Sequence, residues 1–170
     1  MQPAISERSL VFCLRLAMAW TFLYAASHQV LNPNFSVVGF LDHTKTFHAV
    51  FAPLTAPGVA PIISYMVAYG HLLIGLSLLT GLLVRASASF GVLLMGLYWM
   101  AHLNFPYVSS PENFLVDKHV LFGLVLAYLV VRHAGHVFGL NAWVTKIAAV
   151  RRNALLSWLF SADRGPVPAE

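Results

Sequence analysis

Long apolar stretches separated by short polar segments dominate this sequence. Four of them, at about residues 10–31, 59–84, 86–103 and 117–131, are candidates for membrane-spanning helices, since a helix needs about 20 mostly apolar residues to cross a bilayer. Helix is the expected conformation because the hydrocarbon core has no water to pair with free backbone groups. The pattern predicts an all-α membrane protein in which residues 1–140 form a bundle of four transmembrane helices.

Two further segments alternate apolar and polar residues at helical spacing. Over about residues 36–54 the apolar positions form one face that includes His48, which predicts an interfacial helix over the outer end of the bundle. Over residues 141–162 apolar side chains alternate with basic ones, which predicts an amphipathic helix on the cytoplasmic surface, held by anionic lipid. The tail over residues 163–170 contains two prolines and is predicted to be disordered.

Composition excludes several other classes of protein. The chain has 170 residues, of which 59% are hydrophobic and 9% charged, whereas a soluble domain has about 25% charged residues. Ten Lys and Arg residues are too few and too scattered for a nucleic-acid surface, so no nucleic-acid partner is expected. The single cysteine, Cys13, excludes an internal disulfide and a thiolate zinc site. We expect Cys13 to be a small buried apolar residue.

The distribution of basic residues predicts the orientation of the bundle. Eight of the ten Lys and Arg residues lie on one side of the predicted spans, and only Lys45 and Lys118 lie on the other. By the positive-inside rule both termini are cytoplasmic, in a multi-pass protein of the bacterial inner membrane. Arg15 lies near the cytoplasmic interface and is predicted to extend towards it. Its charge also argues against a cleavable signal peptide.

Histidine is the main chemical signal in so apolar a chain. Three histidines, His28, His102 and His119, fall at the outer ends of predicted spans, and His71 falls inside the second span. Neutral imidazoles can hydrogen-bond a quinone carbonyl and carry protons. We therefore predict His71, His102, His119 and Asp117 as catalytic residues. Quinone, as a substrate, would bind at the residues His28, His48, Tyr69, Tyr98 and Trp99.

Simpler interpretations of the same residues remain open. Interfacial His, Tyr and Trp can form the ordinary belt at the headgroup level, and Asp117 can cap the fourth span. A haem held by two histidines on facing helices is an alternative cofactor, although no spacing on one helix demands it. A metal site built from the outer histidines and Asp117 would require the fold to bring them together, and none is predicted.

Several stretches, in order and at the expected separations, resemble the DoxX/DoxD family of small membrane proteins over about residues 10–145. The stretches are Leu14-Arg15, Phe22-Leu23-Tyr24-Ala25, Asn32-Pro33, Gly39-Phe40-Leu41, Tyr69-Gly70-His71-Leu72-Leu73-Ile74-Gly75-Leu76, Leu79-Thr80-Gly81-Leu82-Leu83-Val84-Arg85, Val116-Asp117-Lys118-His119-Val120 and Gly139-Leu140-Asn141. The last two resemble the "VDxH" start and "GLD" finish of the family's fourth helix. The sequence departs from the family at His71, where many relatives carry an acidic residue, and at Gln29, where lysine is frequent.

The resemblance implies a four-helix membrane bundle. For the DoxD branch it implies a membrane subunit of thiosulfate:quinone oxidoreductase, which delivers electrons from a reduced sulfur compound to the quinone pool. A second membrane or periplasmic subunit would then receive the sulfur compound, and the chain could also form a homo-oligomer. The alternative function is a non-catalytic membrane anchor or assembly subunit, because one fold supports many functions.

Overall fold

The computed structural model describes residues 5–160. The helices in chain order are α1 (Ile5–Val30), α2 (Val38–Asp42), α3 (His48–Phe51), α4 (Ala60–Thr80), α5 (Val84–His102), α6 (Lys118–Val131), α7 (Asn141–Val144), α8 (Ala148–Arg152) and α9 (Ala154–Leu159). A small antiparallel sheet follows α5 and consists of β1 (Leu103–Asn104), β2 (Tyr107–Val108) and β3 (Ser110–Phe114). The four long helices, α1, α4, α5 and α6, form the bundle.

The long helices pack as two antiparallel pairs, α1 against α4 and α5 against α6. Close approach in the first pair depends on Gly75, where a Cβ atom would lie 2.7 Å from the Leu23 side chain. In the second pair a Cβ atom at Gly91 would lie 2.9 Å from Leu126 Cδ1. Apolar side chains such as Phe22 fill the space between the pairs. Small residues at such crossings are typical of helix packing in membranes.

Three of the long helices have the length and composition of membrane spans, namely Glu7–Val30 within α1, α4 and α5. Large apolar side chains on their outer surfaces, including Trp20, Met66 and Phe90, are exposed, as expected for surfaces that face lipid. Helix α6 is also apolar but has 14 residues, which corresponds to about 21 Å against about 30 Å of hydrocarbon. Three candidate membrane-spanning helices are therefore present, and the fourth span stays a prediction.

A tight loop separates α4 from α5. Helix α4 ends at Thr80, earlier than predicted, because Gly81 has a left-handed backbone with φ 73° and donates its N–H to the Ser77 carbonyl. Leu83 is also left-handed, with φ 56°, and α5 begins at the next residue, Val84. The second and third predicted spans are thus present with their boundaries shifted by a few residues.

The predicted single surface helix over residues 36–54 is replaced by the short helices α2 and α3 and a 3-10 turn. Between them, Thr44 Oγ1 donates to a carbonyl of the preceding turn at 2.7 Å, and the Thr46 N–H donates to Leu103 O in β1 at 3.1 Å. These hydrogen bonds compete with the helical ones. The break between α2 and α3 means that His48 no longer lies on the same helical face as the apolar residues of α2. His48 is therefore exposed instead of facing the bundle.

The antiparallel sheet occupies the segment between the third and fourth predicted spans. Leu103 pairs with Val108 across β1 and β2, and both side chains are buried. A cis peptide bond joins Phe105 to Pro106 in the turn between these strands. The side chain of Phe114 in β3 is exposed, as is that of Phe105. We call this end of the bundle, where α5 ends and α6 begins, the sheet end.

The predicted amphipathic helix over residues 141–162 is divided into α7, α8 and α9. Asn153 has an extended backbone that ends α8, and its side chain accepts hydrogen bonds from two backbone N–H groups of α9. It is therefore the N-cap of α9. Arg85 at the start of α5 lies over the Trp158 ring of α9, 4.9 Å from its centroid. The tail over residues 163–170, predicted to be disordered, lies outside the described residues.

Arg15 is buried instead of extending to the interface as predicted. Its side chain donates through Nη1 to Ala134 O at 2.7 Å and to Val137 O at 2.9 Å, and through Nη2 to Phe138 O at 3.1 Å. The Ala134 carbonyl also accepts the Val137 N–H at 3.2 Å, in the 3-10 turn that follows α6. The Val137 and Phe138 carbonyls lie beyond that turn, where helical pairing has ended. Cys13 is exposed rather than buried. It lies two residues before the buried Arg15, so the two side chains point about 200° apart around the axis of α1. We call this end of the bundle the Arg15 end.

The start of α1 and the end of α6 lie side by side at the Arg15 end. Glu7 on α1 forms an ion pair with Arg132, the residue after α6. Next to it, Arg8 lies over the Phe138 ring, 5.3 Å from its centroid. The start of α1 therefore lies at the same end of the bundle as the end of α6.

Candidate functional site

Four rings from three helices converge near the sheet end. Tyr98 on α5 is central, since its ring centroid lies 5.7 Å from that of His71 on α4 and 5.6 Å from that of His119 on α6. His102, one turn after Tyr98, stacks on His119 with the ring centroids 4.8 Å apart. The structure therefore brings together three of the histidines to which the sequence pointed. We call His71, Tyr98, His102 and His119 the ring cluster.

Asp117 holds His119 in place at the start of α6. Asp117 Oδ2 lies 2.6 Å from His119 Nδ1. Asp117 Oδ1 accepts the backbone N–H of His119 at 2.9 Å and that of Val120 at 3.4 Å. One carboxylate oxygen thus caps the helix while the other orients the imidazole. The cap that the sequence offered as the simpler interpretation of Asp117 is therefore present, together with the contact to His119.

Backbone carbonyls determine the tautomers of the other two histidines. His71 Nδ1 lies 2.7 Å from Val67 O, and His102 Nδ1 lies 2.8 Å from Tyr98 O. Because a carbonyl oxygen can only accept, Nδ1 must carry the proton in both rings. In the neutral imidazole Nε2 is then the acceptor. His119 differs because its Nδ1 partner is a carboxylate, which supplies the negative charge that an imidazolium needs beside it.

Apolar rings surround the ring cluster. Phe22 of α1 lies 5.5 Å from His71 between ring centroids. Phe40 of α2 lies 4.9 Å from His102 and 5.6 Å from Tyr98. All four long helices and α2 therefore meet here. Hydrogen bonds and charges act strongly in such surroundings because little water screens them.

The other predicted binding residues lie outside the ring cluster. His28 is exposed near the end of α1, and its Nδ1 bonds a backbone carbonyl of its own helix at 3.0 Å. His48 is exposed and bonds Thr44 Oγ1 at 3.1 Å. Trp99 Nε1 donates to a carbonyl just before α6 at 2.8 Å, so it attaches that segment to α5. Tyr69 is half-exposed and lines a separate cavity.

Within the described part of the chain, no group of three or more His, Cys, Asp or Glu side chains is arranged to hold a metal ion. The candidate metal ligands considered from the sequence were the outer histidines and Asp117, and they included His28. In the structure His28 packs against Tyr24 on α1, with the ring centroids 4.6 Å apart. It does not join the histidines of the ring cluster.

A cavity of about 640 Å³ lies between the end of α1, α2 and the first half of α4. It was not among the features predicted from the sequence. Three small buried residues on one face of α4, Ala60, Ser64 and Ala68, line it and leave the space open. Their spacing of four residues was the signal that could have revealed it. Gln29 of α1 also lines the cavity, and its side chain reaches Tyr98.

Comparison with known proteins identifies one family. No match was found among curated proteins or among solved structures. The DoxX family model matches residues 10–103, which is more than half of the chain. The matched region contains most of α1 and all of α2 to α5, and it includes His71, Tyr98 and His102 but ends before Asp117. The resemblance inferred from the sequence motifs is thereby confirmed: the chain belongs to the DoxX family.

Proposed function

We propose that this protein is an integral membrane subunit of an oxidoreductase that passes electrons from a reduced sulfur compound, such as thiosulfate, to membrane quinone. The observation that carries the proposal is the convergence of His71, His102 and His119 around Tyr98. Imidazole and phenol side chains can hydrogen-bond quinone oxygens, and imidazoles also exchange protons near neutral pH. The sulfur compound is proposed from the resemblance to the DoxD branch.

The electron and proton balance of the proposed reaction requires proton donors near the quinone, and the ring cluster is proposed to supply them. Joining two thiosulfate ions through a new S–S bond releases two electrons and no protons. Reducing a quinone to a quinol takes up two electrons and two protons. The protons must therefore come from groups near the quinone. His119, with Asp117 as the partner of its protonated form, and His71 are the proposed sources of these two protons.

A second subunit, in the membrane or in the periplasm, would handle the sulfur compound. Cys13 is the sole cysteine of the sequence, and it lies two residues from Arg15, towards the end of the bundle away from the ring cluster. No cysteine is therefore available beside the ring cluster for chemistry on sulfur. Electrons would enter from the partner and leave on quinone.

We further propose that α6 crosses the bacterial inner membrane, so that the protein spans it four times with both termini in the cytoplasm. The ion pair between Glu7 and Arg132 supports this topology because it places the start of α1 beside the end of α6. The positive-inside rule supports it too. The sheet end carries Lys45 and Lys118, whereas the basic residues after α6 belong to the other end.

The test measures quinone per chain and quinone reduction in membranes from a strain complemented with the full chain. We expect the purified wild-type protein to retain close to one quinone per chain. His71→Ala and His119→Ala should lose most of it and lower the rate of quinone reduction. His133→Ala, at an exposed position at the Arg15 end, is the matched control and should behave as wild type.

Two results would refute the catalytic proposal. One is a quinone content no higher than that of the surrounding lipid. The other is an unchanged rate of quinone reduction in both the His71→Ala and the His119→Ala proteins.

The second candidate function is a membrane anchor for a larger complex. It is favoured by the exposed apolar side chains of the C-terminal helices, among which Trp143 and Leu155 are 76% and 65% exposed. An anchor would co-purify with a protein partner and without quinone, and Trp143→Ser would release that partner. Retention of the partner by Trp143→Ser together with stoichiometric quinone would favour the catalytic function.

A further inference from the structure

We propose that the cavity beside the ring cluster is the headgroup pocket for quinone and quinol, and that Gln29 is the residue that hydrogen-bonds the ring oxygen. This inference rests on the proposed function, since it takes quinone as the ligand. It places the quinone in the cavity and not among the histidines of the ring cluster. The ring cluster then lies on the far side of Gln29 from the ligand.

The size and walls of the cavity suit a flat ring. Its volume of about 640 Å³ falls within the range of about 300–1,000 Å³ that is typical of ligand pockets. Tyr65 and Tyr69, one turn apart on α4, line it and lie nearly parallel, with ring centroids 6.2 Å apart and planes inclined by 21°. Two stacked phenol rings offer a planar wall against which a quinone ring can pack.

Gln29 has an unpaired polar atom buried in the wall of this space, and a rotation of its side chain would bring that atom into the cavity. In the described part of the chain two buried side-chain polar atoms have no hydrogen-bond partner, Arg15 Nε and Gln29 Oε1. Of these residues, Gln29 lines the cavity. The other buried polar side chain there, Ser64, is already occupied, because its hydroxyl donates to Ala60 O at 2.7 Å and accepts the Val37 N–H at 3.1 Å. An unpaired buried amide oxygen is costly, and a ligand with a hydroxyl group would pair with it.

An amide is matched to both redox forms of the ligand. Its oxygen accepts a hydrogen bond from a quinol hydroxyl, and its NH₂ group donates to a quinone carbonyl. A rotation of the amide by 180° exchanges the two groups without moving the helix. Gln29 can therefore bind the reactant and the product in the same position.

The position of Gln29 also connects the cavity to the proposed proton donors. Its side chain lies between the cavity and Tyr98, and Tyr98 contacts His71 and His119. The exposed side chains of Tyr65 and Tyr69 stand at the rim on α4, one of the helices suited to span the membrane. The isoprenoid tail of a quinone can leave the cavity there and enter lipid.

The test is a titration of the purified full chain in lipid nanodiscs with decylubiquinone, followed by quenching of tryptophan fluorescence. We expect Gln29→Leu to raise the dissociation constant about tenfold, as for a lost hydrogen bond in a water-poor site. Ala68→Leu, which fills the cavity, should abolish binding. Thr21→Val is the matched control on α1, because its hydroxyl only bonds Ala17 O of the same helix, and it should bind as wild type.

Photolabelling with an azido derivative of the same quinone provides an independent measurement that needs no variant. We expect label on residues 29–38 and 60–69. Unchanged binding by Gln29→Leu and Ala68→Leu, or label confined to residues 98–119, would overturn the pocket assignment while leaving the proposed function intact. A wild-type protein that neither binds decylubiquinone nor takes up label would refute the proposed function, and the pocket assignment with it.

Discussion

The imidazole of His102 lies almost parallel to that of His119, with the ring centroids 4.8 Å apart and the planes inclined by 23°. The first ring belongs to the last turn of α5 and the second to the first turn of α6. Two positive charges at this separation would repel each other. Asp117 contacts the second of these rings, with its Oδ2 2.6 Å from His119 Nδ1.

Asp117→Asn separates the two roles of Asp117. Asparagine keeps an oxygen that can accept the backbone N–H groups of α6, so the helix should stay capped and the free energy of unfolding should change by less than about 1 kcal/mol. The negative charge beside His119 is lost, so the protonated ring forms less readily. We expect quinone reduction to fall about 10- to 100-fold and its optimum to move to lower pH.

The measurement for Asp117→Asn is the pH profile of quinone reduction, with thermal unfolding recorded in parallel. Asp117→Ala serves as the comparison, because it removes the cap as well and should cost about 1 kcal/mol more stability. A pH profile identical to that of the wild type would show that the carboxylate acts only as a cap.

Arg15→Leu should be strongly destabilising. The variant removes the hydrogen bonds from Arg15 to the carbonyls of Ala134, Val137 and Phe138. Ala134 O keeps the Val137 N–H, but the other two carbonyls lose their Arg15 donor, and an unpaired buried carbonyl is costly. We expect a loss of about 3 kcal/mol or more in the free energy of unfolding. Arg15→Lys should recover part of it, since one ammonium group can reach fewer of the carbonyls.

Thermal unfolding in mild detergent measures the effect of Arg15. Arg8→Leu is the control, because Arg8 lies on the same helix and contacts the Phe138 ring, an interaction worth about 0.5–1 kcal/mol. If Arg15→Leu unfolds no more easily than Arg8→Leu, the hydrogen bonds from α1 contribute no net stability to the segment after α6.

Two glycines on α4 should respond differently to the same substitution. At Gly75 an alanine Cβ would lie 2.7 Å from the Leu23 side chain and 3.0 Å from its backbone nitrogen, whereas at Gly70 it would meet nothing within 4 Å. We expect Gly75→Ala to cost about 1–3 kcal/mol because α1 and α4 must separate. Gly70→Ala should be neutral or slightly stabilising, since alanine favours helix. Equal unfolding temperatures for the two variants would contradict the close contact of α1 with α4.

Cysteine labelling can decide whether α6 crosses the membrane. In a Cys13→Ser background, new single cysteines at Asn34 and Arg152 lie at opposite ends of the bundle. With four spans, a membrane-impermeant maleimide added to intact spheroplasts should label Asn34→Cys, and it should label Arg152→Cys only after lysis. Labelling of both positions in intact spheroplasts would mean that α6 does not cross.

Local sequence determined the class of the protein and the positions of its long helices. Hydrophobicity summed over a window is a property of the segment alone, so the helices corresponding to α1, α4, α5 and α6 were located to within a few residues. The family was likewise identified from several short stretches, taken together and in order along the chain. The prediction of a single surface helix over residues 36–54 was wrong because the Thr46 N–H donates to Leu103 O in β1. Helical periodicity in the sequence does not reveal such a contact.

The tertiary structure alone decided which polar residues meet. His71, His102 and His119 converge while His28 and His48 do not, because convergence depends on the rotation of each helix about its axis and on where it crosses its neighbours. Asn141 is another example, since its side chain accepts the Leu83 N–H at 3.0 Å, 58 positions away along the chain. Arg15 reaches carbonyls about 120 positions away. The sequence determined a membrane bundle rich in histidine, and only the packing of its helices made the ring cluster, the buried arginine and the cavity at Gln29.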